Sequence, residues 1–102
     1  MNCKVRWSPQ VENYVRSKAP EPRTELWREI KRLAEWDGRE NPPRLKHLEG
    51  SLVGYSRLKV HGHRIIFREA FVSDCRAVEC LFAAPRNTVY EAFEEMLLDS
   101  LS

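Results

Sequence analysis

The chain has 102 residues, a length that fits one domain, and 42% of them are hydrophobic, which is enough for one modest core without disulfide or metal staples. No run of residues approaches the roughly 18 apolar positions of a membrane span. The polar N-terminus does not suit a secretory signal peptide. We therefore expect a single cytoplasmic domain over residues 1–102, with no membrane partner.

The net charge of +2 is distributed unevenly along the chain. Residues 39–68 contain seven Lys and Arg against two acids, a local balance of +5, so the remainder carries −3. The last sixteen residues contain four acids and no Lys or Arg. A basic middle indicates a polyanionic partner such as RNA, although charge clusters on small domains are also common as solvated faces.

The cysteines and histidines indicate neither a metal nor a cofactor. The three cysteines form no CxxC pair and have no metal-ligand spacing with a histidine, and the three histidines have no ligand pattern of their own. Cys3, Cys75 and Cys80 are interpreted as small apolar fillers of the core.

The N-terminal residues predict a strand followed by a helix. Residues Cys3 to Trp7 alternate as a short strand does, and Ser8 and Pro9 suit an N-cap and a first helical position. The apolar spacing behind them predicts a helix that runs to about Lys18.

Two prolines are expected to separate this helix from a second one. Pro20 and Pro22 interrupt the helical pattern, because proline removes a backbone donor and restricts the residue before it. An amphipathic helix is predicted from about Arg23 to Trp36, with Asp37-Gly38 ending it.

The second half of the chain predicts three strands and a helix. Residues 41–54 suggest an irregular crossing, and Tyr55 to Ala70 suggest a hairpin with its turn at His61-Gly62. The apolar run Ala77 to Ala84 suits a strand in the interior of the sheet. Thr88 to Glu91 matches a capping box that opens the final helix. The fold class is therefore α+β, with an N-terminal strand and a helical hairpin packed on an antiparallel sheet, and a C-terminal helix.

One face of the predicted hairpin is unexpectedly basic. With a turn at His61-Gly62, Lys59 lies opposite Arg64, and such like-charge pairs destabilise a sheet by up to about 1 kcal/mol. Arg57 shares their face because side chains alternate along a strand. The face is either solvated or built to hold a phosphate backbone.

Two residues near the end of the chain are candidates to extend this face. Arg86 follows Pro85 just before the final helix, where backbone donors and the helix dipole favour an anion. Tyr90 lies in the first turn of that helix, and either packs in the core or directs its ring or hydroxyl towards the same region.

The motifs closely resemble those of the RelE/ParE toxins of type II toxin–antitoxin pairs. The resemblance rests on Arg44–Gly50, Gly54–Val60 and Gly62–Phe67, and on Arg86–Tyr90, which resembles an arginine turn followed by a Val-Tyr pair. It implies one toxin domain with a microbial-ribonuclease-like fold. In the RelE branch it implies metal-free cleavage of mRNA in the ribosomal A site.

The resemblance also implies roles for individual residues. The catalytic positions carried over are Lys59, Arg64, Arg86 and Tyr90, and the RNA-binding positions are Arg57, Lys59, Arg44 and Lys46. The chemistry suits these residue types. A 2′-hydroxyl attacks the adjacent phosphorus, so charge builds on the nonbridging oxygens and is stabilised by preplaced cations. Arginine matches phosphate with a planar fork, and a tyrosine stacks on a splayed base or assists protonation of the leaving group.

The general base is left open by the sequence. Lys59 is the candidate, since the positive charges of Arg57 and Arg64 favour its neutral form. A related YoeB-like subgroup uses a glutamate and a histidine where this chain has Pro43 and Val89. The acid–base pair of that subgroup is therefore absent.

Three functions remain open on the sequence. The first is a ribosome-dependent mRNA endonuclease, whose partners are the ribosome and mRNA. The second is a ParE-like toxin that poisons DNA gyrase by protein contact, for which Lys59 and Tyr90 would be dispensable. The third is a degenerate toxin that only binds its antitoxin. All three imply a cognate antitoxin, which we expect to mask the basic face with an acidic segment.

Overall fold

The computed structural model describes residues 4–36, 39 and 42–101, and in them five strands and three α-helices. The strands are β1 (Lys4–Trp7), β2 (Leu45–His47), β3 (Ser56–Val60), β4 (His63–Val72) and β5 (Cys75–Pro85). The helices are α1 (Pro9–Arg16), α2 (Pro20–Arg32) and α3 (Val89–Leu101), and short 3₁₀ turns cover Leu33–Glu35 and Gly50–Leu52. The predicted α+β class is confirmed.

The strands form one sheet in the order β1-β5-β4-β3-β2. The pairs β2–β3, β3–β4 and β4–β5 are antiparallel, whereas β1 lies parallel to β5. The sheet is therefore mixed, where the sequence suggested a wholly antiparallel one. The interior position predicted for the apolar strand β5 is confirmed, since it lies between β1 and β4.

The first helix begins where the sequence predicts and the second begins earlier. The Ser8 hydroxyl accepts a hydrogen bond from the Val11 N–H at 3.2 Å, as an N-cap does. Pro20 opens α2 instead of lying in a linker, because a proline at the first helical position lacks only an N–H that has no helical partner. The predicted stop at Asp37-Gly38 lies outside the described residues.

The segment predicted as an irregular crossing contains a strand that the sequence did not reveal. Strand β2 is three residues long and forms an edge of the sheet beside β3. Gly50 opens the 3₁₀ turn behind it and Gly54 follows that turn, with φ of +66° and +95°, a backbone region that favours glycine. Too short to show an alternating pattern of its own, β2 takes its register from β3.

Apolar side chains fill both sides of the sheet. On one side, α1 and α2 cover a core that includes Leu58 and Ile65; we call this the α1–α2 face. On the other side, α3 covers Ile66 through Val89 and Phe93; we call this the α3 face. Since strand residues alternate between the two sides, Arg57 lies opposite Ile66 on the α3 face.

The cysteines have different environments. Cys80 is buried, and burial raises the pKa of its thiol to about 12, which fits the predicted role of an apolar filler. Cys75 is exposed, so the same prediction is wrong there, because it lies at the outer end of the β4–β5 hairpin. Cys3 lies outside the described residues. No helix among the described residues is long and apolar enough to cross a membrane.

Docking of α3 onto the sheet is expected to depend on Phe93. Its side chain is fully buried, with ring centroids 5.0 Å from Tyr55 and 5.9 Å from Phe82. Phe93→Ala should lower the free energy of unfolding in urea by about 3–5 kcal/mol. Leu98→Ala is the matched change at a position that is 65% exposed, and should alter it by at most about 0.5 kcal/mol. Equal losses from the two variants would contradict the observed packing of α3.

Candidate functional site

The basic hairpin has the predicted turn and register. His61 and Gly62 form a two-residue turn between β3 and β4, with Lys59 paired with Arg64 and Val60 with His63. His61 occupies the left-handed region at a φ of +54°. Two cationic side chains are thus held directly opposite one another on the α3 face.

Arg64 is unusually buried for an arginine and is tied to the turn. Its side chain is only 9% exposed. The Arg64 Nη1 donates to the carbonyl oxygens of His61 and His63 at 2.7 and 2.9 Å. One nitrogen of the guanidinium therefore holds the turn together.

Arg57 and Arg86 each lie close enough to Arg64 to repel its charge, and we call the three residues the arginine cluster. Burial lowers the pKa of Arg64, the positive charges of Arg57 and Arg86 lower it further, and Tyr90 opposes the change. The Nη1 of Arg57 is buried and has no hydrogen-bond partner among the described residues. Arg64 and one nitrogen of Arg57 are thus shielded from solvent while Arg86 stays exposed, and their positive charges together favour a bound anion.

Carboxylate partners are distributed selectively among the arginines. Six arginines elsewhere in the fold form ion pairs with acidic side chains: Arg6, Arg16, Arg32, Arg44, Arg68 and Arg76. Within the described part of the chain, no arginine of the cluster has such a pair. Arg23 and Arg28 also lack such a pair among the described residues, but the cluster is where arginines without a carboxylate partner lie close to one another, which leaves them available to an external anion.

The end of β5 brings Arg86 and Tyr90 to the hairpin. The backbone N–H of Arg86 donates to the Gly62 carbonyl at 2.9 Å, which ties the exit of β5 to the turn. The Arg86 side chain is exposed, and α3 begins three residues later at Val89. Tyr90 is half-buried against the apolar cluster of the α3 face and also lies near Arg64. Both interpretations of this tyrosine therefore describe part of its environment.

The other predicted RNA-binding residues divide into two groups. Lys59 and Lys46 are exposed, and the register places Lys46 beside Arg57 on the α3 face. The Arg44 side chain instead reaches α2, where its Nε lies 3.4 Å from a carboxylate oxygen of Glu29. The structure thus brings Lys46 and Lys59 alongside the arginine cluster and leaves Arg44 engaged elsewhere.

Contacts from the α1–α2 face hold the hairpin turn, and the sequence did not indicate them. The Tyr14 hydroxyl lies 2.6 Å from the His63 Nδ1, and the His61 Nε2 lies 2.8 Å from a carboxylate oxygen of Glu25. Burial raises the pKa of Tyr14. Burial lowers the pKa of His63, and the charges of Lys18, His61 and Arg64 lower it further. A neutral His63 thus accepts the hydrogen bond of a protonated tyrosine.

The arrangement suits electrostatic binding of a phosphate group. The arginines supply several N–H donors to one region, and the exposed Lys59 amine lies beside them. Among the described residues, no three or more His, Cys, Asp and Glu side chains are grouped so as to hold a metal ion.

Comparison with solved structures identifies the fold. A chain of the toxin–antitoxin complex RelBE2 from Mycobacterium tuberculosis superposes with a TM-score of 0.66 at 16% identity, covering 84% of this chain and 93% of that one. The archaeal RelE–RelB complex from Pyrococcus horikoshii gives 0.63 at 19% identity, covering 84% and 97%. A YoeB/ParE toxin from Agrobacterium tumefaciens gives 0.60 at 17% identity, covering 81% and 98%. The chain has the fold of these toxins, as its motifs predicted.

The likeness lies in three-dimensional structure more than in sequence. No protein-family model matches the chain, and no curated protein matches its sequence.

Stability should fall at acidic pH because of His63. Its folded pKa lies below the ordinary value of 6.5, so the unfolded chain binds the proton more readily. The contribution of neutral His63 to the free energy of unfolding is complete above the unfolded pKa of 6.5. It is lost as the pH falls from 6.5 to the lower pKa of the folded protein. His63→Gln retains an acceptor for Tyr14 and should lose less stability between about pH 7.5 and about pH 5.5.

Urea unfolding of both proteins at the two pH values checks this difference. The contact between His61 and Glu25 is present in both proteins, so any contribution from it cancels in the comparison. Equal losses of stability would contradict the environment described for His63.

Proposed function

We propose that this chain, which has the fold of the RelE and YoeB toxins, is the toxin of a type II toxin–antitoxin pair and cleaves mRNA on the ribosome without a metal ion. The observation that carries the proposal is the arginine cluster, in which three arginines meet beside Tyr90 with no carboxylate partner in the described part of the chain. A cluster of this kind is unfavourable for folding and suits a phosphate.

The reaction uses the substrate's own nucleophile. The 2′-hydroxyl attacks the adjacent phosphorus, a bond forms between the 2′ oxygen and phosphorus, and the bond to the 5′ oxygen breaks. Negative charge builds on the two nonbridging oxygens as this proceeds. Arg57, Arg64 and Arg86 are positioned before the reaction to stabilise that charge, and removing one such donor typically costs about 10²- to 10³-fold in rate.

Proton transfer is assigned to the residues beside the cluster. Lys59 lies across from Arg64 on the same face and is the proposed acceptor of the 2′-hydroxyl proton. Tyr90 is proposed to stack on a base or to help protonate the leaving 5′ oxygen. With so few acid–base groups, we expect the ribosome to supply the strained mRNA conformation that the protein itself does not impose.

A cognate antitoxin is the proposed regulatory partner. Two of the structural neighbours are toxin–antitoxin complexes, RelBE2 and RelE–RelB. The antitoxin is proposed to place acidic residues over the arginine cluster, Lys46 and Lys59. Its affinity should decrease with salt to the extent that exposed charges drive binding.

Loss of arginines from the cluster should abolish cleavage. We expect Arg64→Ala with Arg86→Ala to lower cleavage of a reporter mRNA in a cell-free translation reaction by at least about 10²-fold, read by primer extension. Arg16→Ala is the matched control, since Arg16 is exposed on α1 and its carboxylate partner among the described residues is Glu12. The single variant Arg86→Ala keeps the bonds of Arg64 to the turn, and separates loss of chemistry from loss of folding.

Several outcomes would overturn the proposal. Intact mRNA with the unaltered protein would do so, and a gyrase-dependent DNA cleavage assay would then test the ParE-like alternative. Equal cleavage by the double variant and the control would remove the arginine cluster from the mechanism.

A further inference from the structure

Helix α1 completes the hydrogen bonding of β5 where β1 has ended. The pairing of β1 with β5 ends at Trp7 and Cys80, although β5 continues to Pro85. Beyond that point the Ser8 hydroxyl donates to the Leu81 carbonyl at 3.0 Å. The Gln10 amide then donates to the Ala83 carbonyl at 2.7 Å and accepts from the Ala83 N–H at 2.8 Å.

The Gln10 side chain thus makes the two hydrogen bonds to Ala83 of β5 that the backbone of a neighbouring strand would otherwise make. Both backbone groups of Ala83 that point away from β4 are bonded to one side chain, and Ala83 itself is fully buried. Arg86 follows three residues later. The two hydrogen bonds between Gln10 and Ala83 therefore fix the backbone position just before Arg86 joins the arginine cluster.

The same helix holds the turn from which Arg64 projects. The Tyr14 hydroxyl bonds to the His63 ring, and His63 directly precedes Arg64. The Lys18 ammonium lies 4.1 Å from the centre of the Tyr14 ring and fixes that ring from the other side. A shift of the His63 ring would break this partly buried contact with α1.

Backbone bonds connect the two held segments. The Arg86 N–H donates to the Gly62 carbonyl at 2.9 Å, and Arg64 donates to the carbonyls on either side of Gly62. Contacts made by Gln10 at one end and Tyr14 at the other thus reach two of the three arginines. The acceptors in these bonds are backbone carbonyls, which move less than free side chains do.

We propose that Gln10 and Tyr14 are positioning residues for the cleavage reaction, acting through Ala83 and His63 to set the separation of Arg86 and Arg64. This inference rests on the proposed function. Neither side chain lies on the α3 face, so neither contacts RNA. A displacement of about 1 Å at a catalytic group can cost about 10² in rate, so the loss of either contact should lower the rate of the chemical step.

The test compares variants that remove only the positioning contacts. Gln10→Ala removes both bonds to Ala83, and Tyr14→Phe removes the bond to His63 while keeping the ring beside Lys18. Asn13→Ala is the control for the helix, since Asn13 is exposed on α1. Tyr55→Phe is the control for a lost hydroxyl, because the Tyr55 hydroxyl makes no hydrogen bond in the part of the chain that the structure describes.

Single-turnover cleavage of A-site mRNA on programmed ribosomes is the readout, at a temperature well below the unfolding midpoint of every variant. We expect Gln10→Ala and Tyr14→Phe each to lower the rate at saturating ribosomes by about tenfold. The half-saturating ribosome concentration should stay within about twofold of the wild type, since substrate contacts are intact. Both controls should cleave at the wild-type rate.

The possible failures are distinguishable. If the wild type cleaves and both variants cleave at its rate, the inference is overturned and the proposed function stands. An unchanged saturating rate with a raised half-saturating concentration also overturns it, because the residues would then act in binding. If the wild type does not cleave, the proposed function falls and the inference falls with it.

Discussion

Repulsion among three arginines on the α3 face is the constraint to which the rest of the structure is fitted. Arg64 is buried beside Arg57 and Arg86, and one nitrogen of Arg57 is enclosed without a partner among the described residues. Burial without compensating hydrogen bonds or opposite charge is costly for any cation. Such an arrangement persists when the remainder of the fold stabilises it, and functional sites are where this is common. The proposed phosphate ligand would supply the missing charge and acceptors.

The two faces of the sheet differ: the α1–α2 face carries the larger apolar core, and the α3 face carries the candidate site. Helices α1 and α2 cover a continuous apolar core, and from that side Gln10 and Tyr14 of α1 bond to Ala83 and His63. The α3 face holds a smaller apolar cluster and leaves the cations of β3 and β4 beside it. Placing the cations on strands fixes their separation more closely than a loop would. Catalysis by preplaced charge requires that rigidity, since the charges must not reorganise during the reaction.

Local sequence patterns predicted much of this fold. The features that they did not predict depend on contacts between residues far apart in the sequence. The His61-Gly62 turn fixed the register that sets Lys59 opposite Arg64, because a two-residue turn and strand alternation leave few alternatives. Strand β2 was missed because its pairing with β3, not its own three residues, defines it. The bond between Tyr14 and His63 joins residues 49 positions apart, a separation that no local pattern spans. Similarly, the basic segment gave no sign that Arg44 would turn to Glu29 on α2.

The central claim is that the cluster is retained for an anion at the expense of folding stability, and Arg57→Met tests it most directly. Methionine keeps an unbranched stem of similar length and removes the buried, unpartnered nitrogen together with one of the repelling charges. Urea unfolding of Arg57→Met is compared with Arg28→Met, which alters an exposed arginine of α2. The account predicts that Arg57→Met raises the free energy of unfolding by on the order of 1 kcal/mol, while Arg28→Met leaves it nearly unchanged. A loss of stability of about 1 kcal/mol or more in Arg57→Met would instead make Arg57 a structural residue, and would contradict the account.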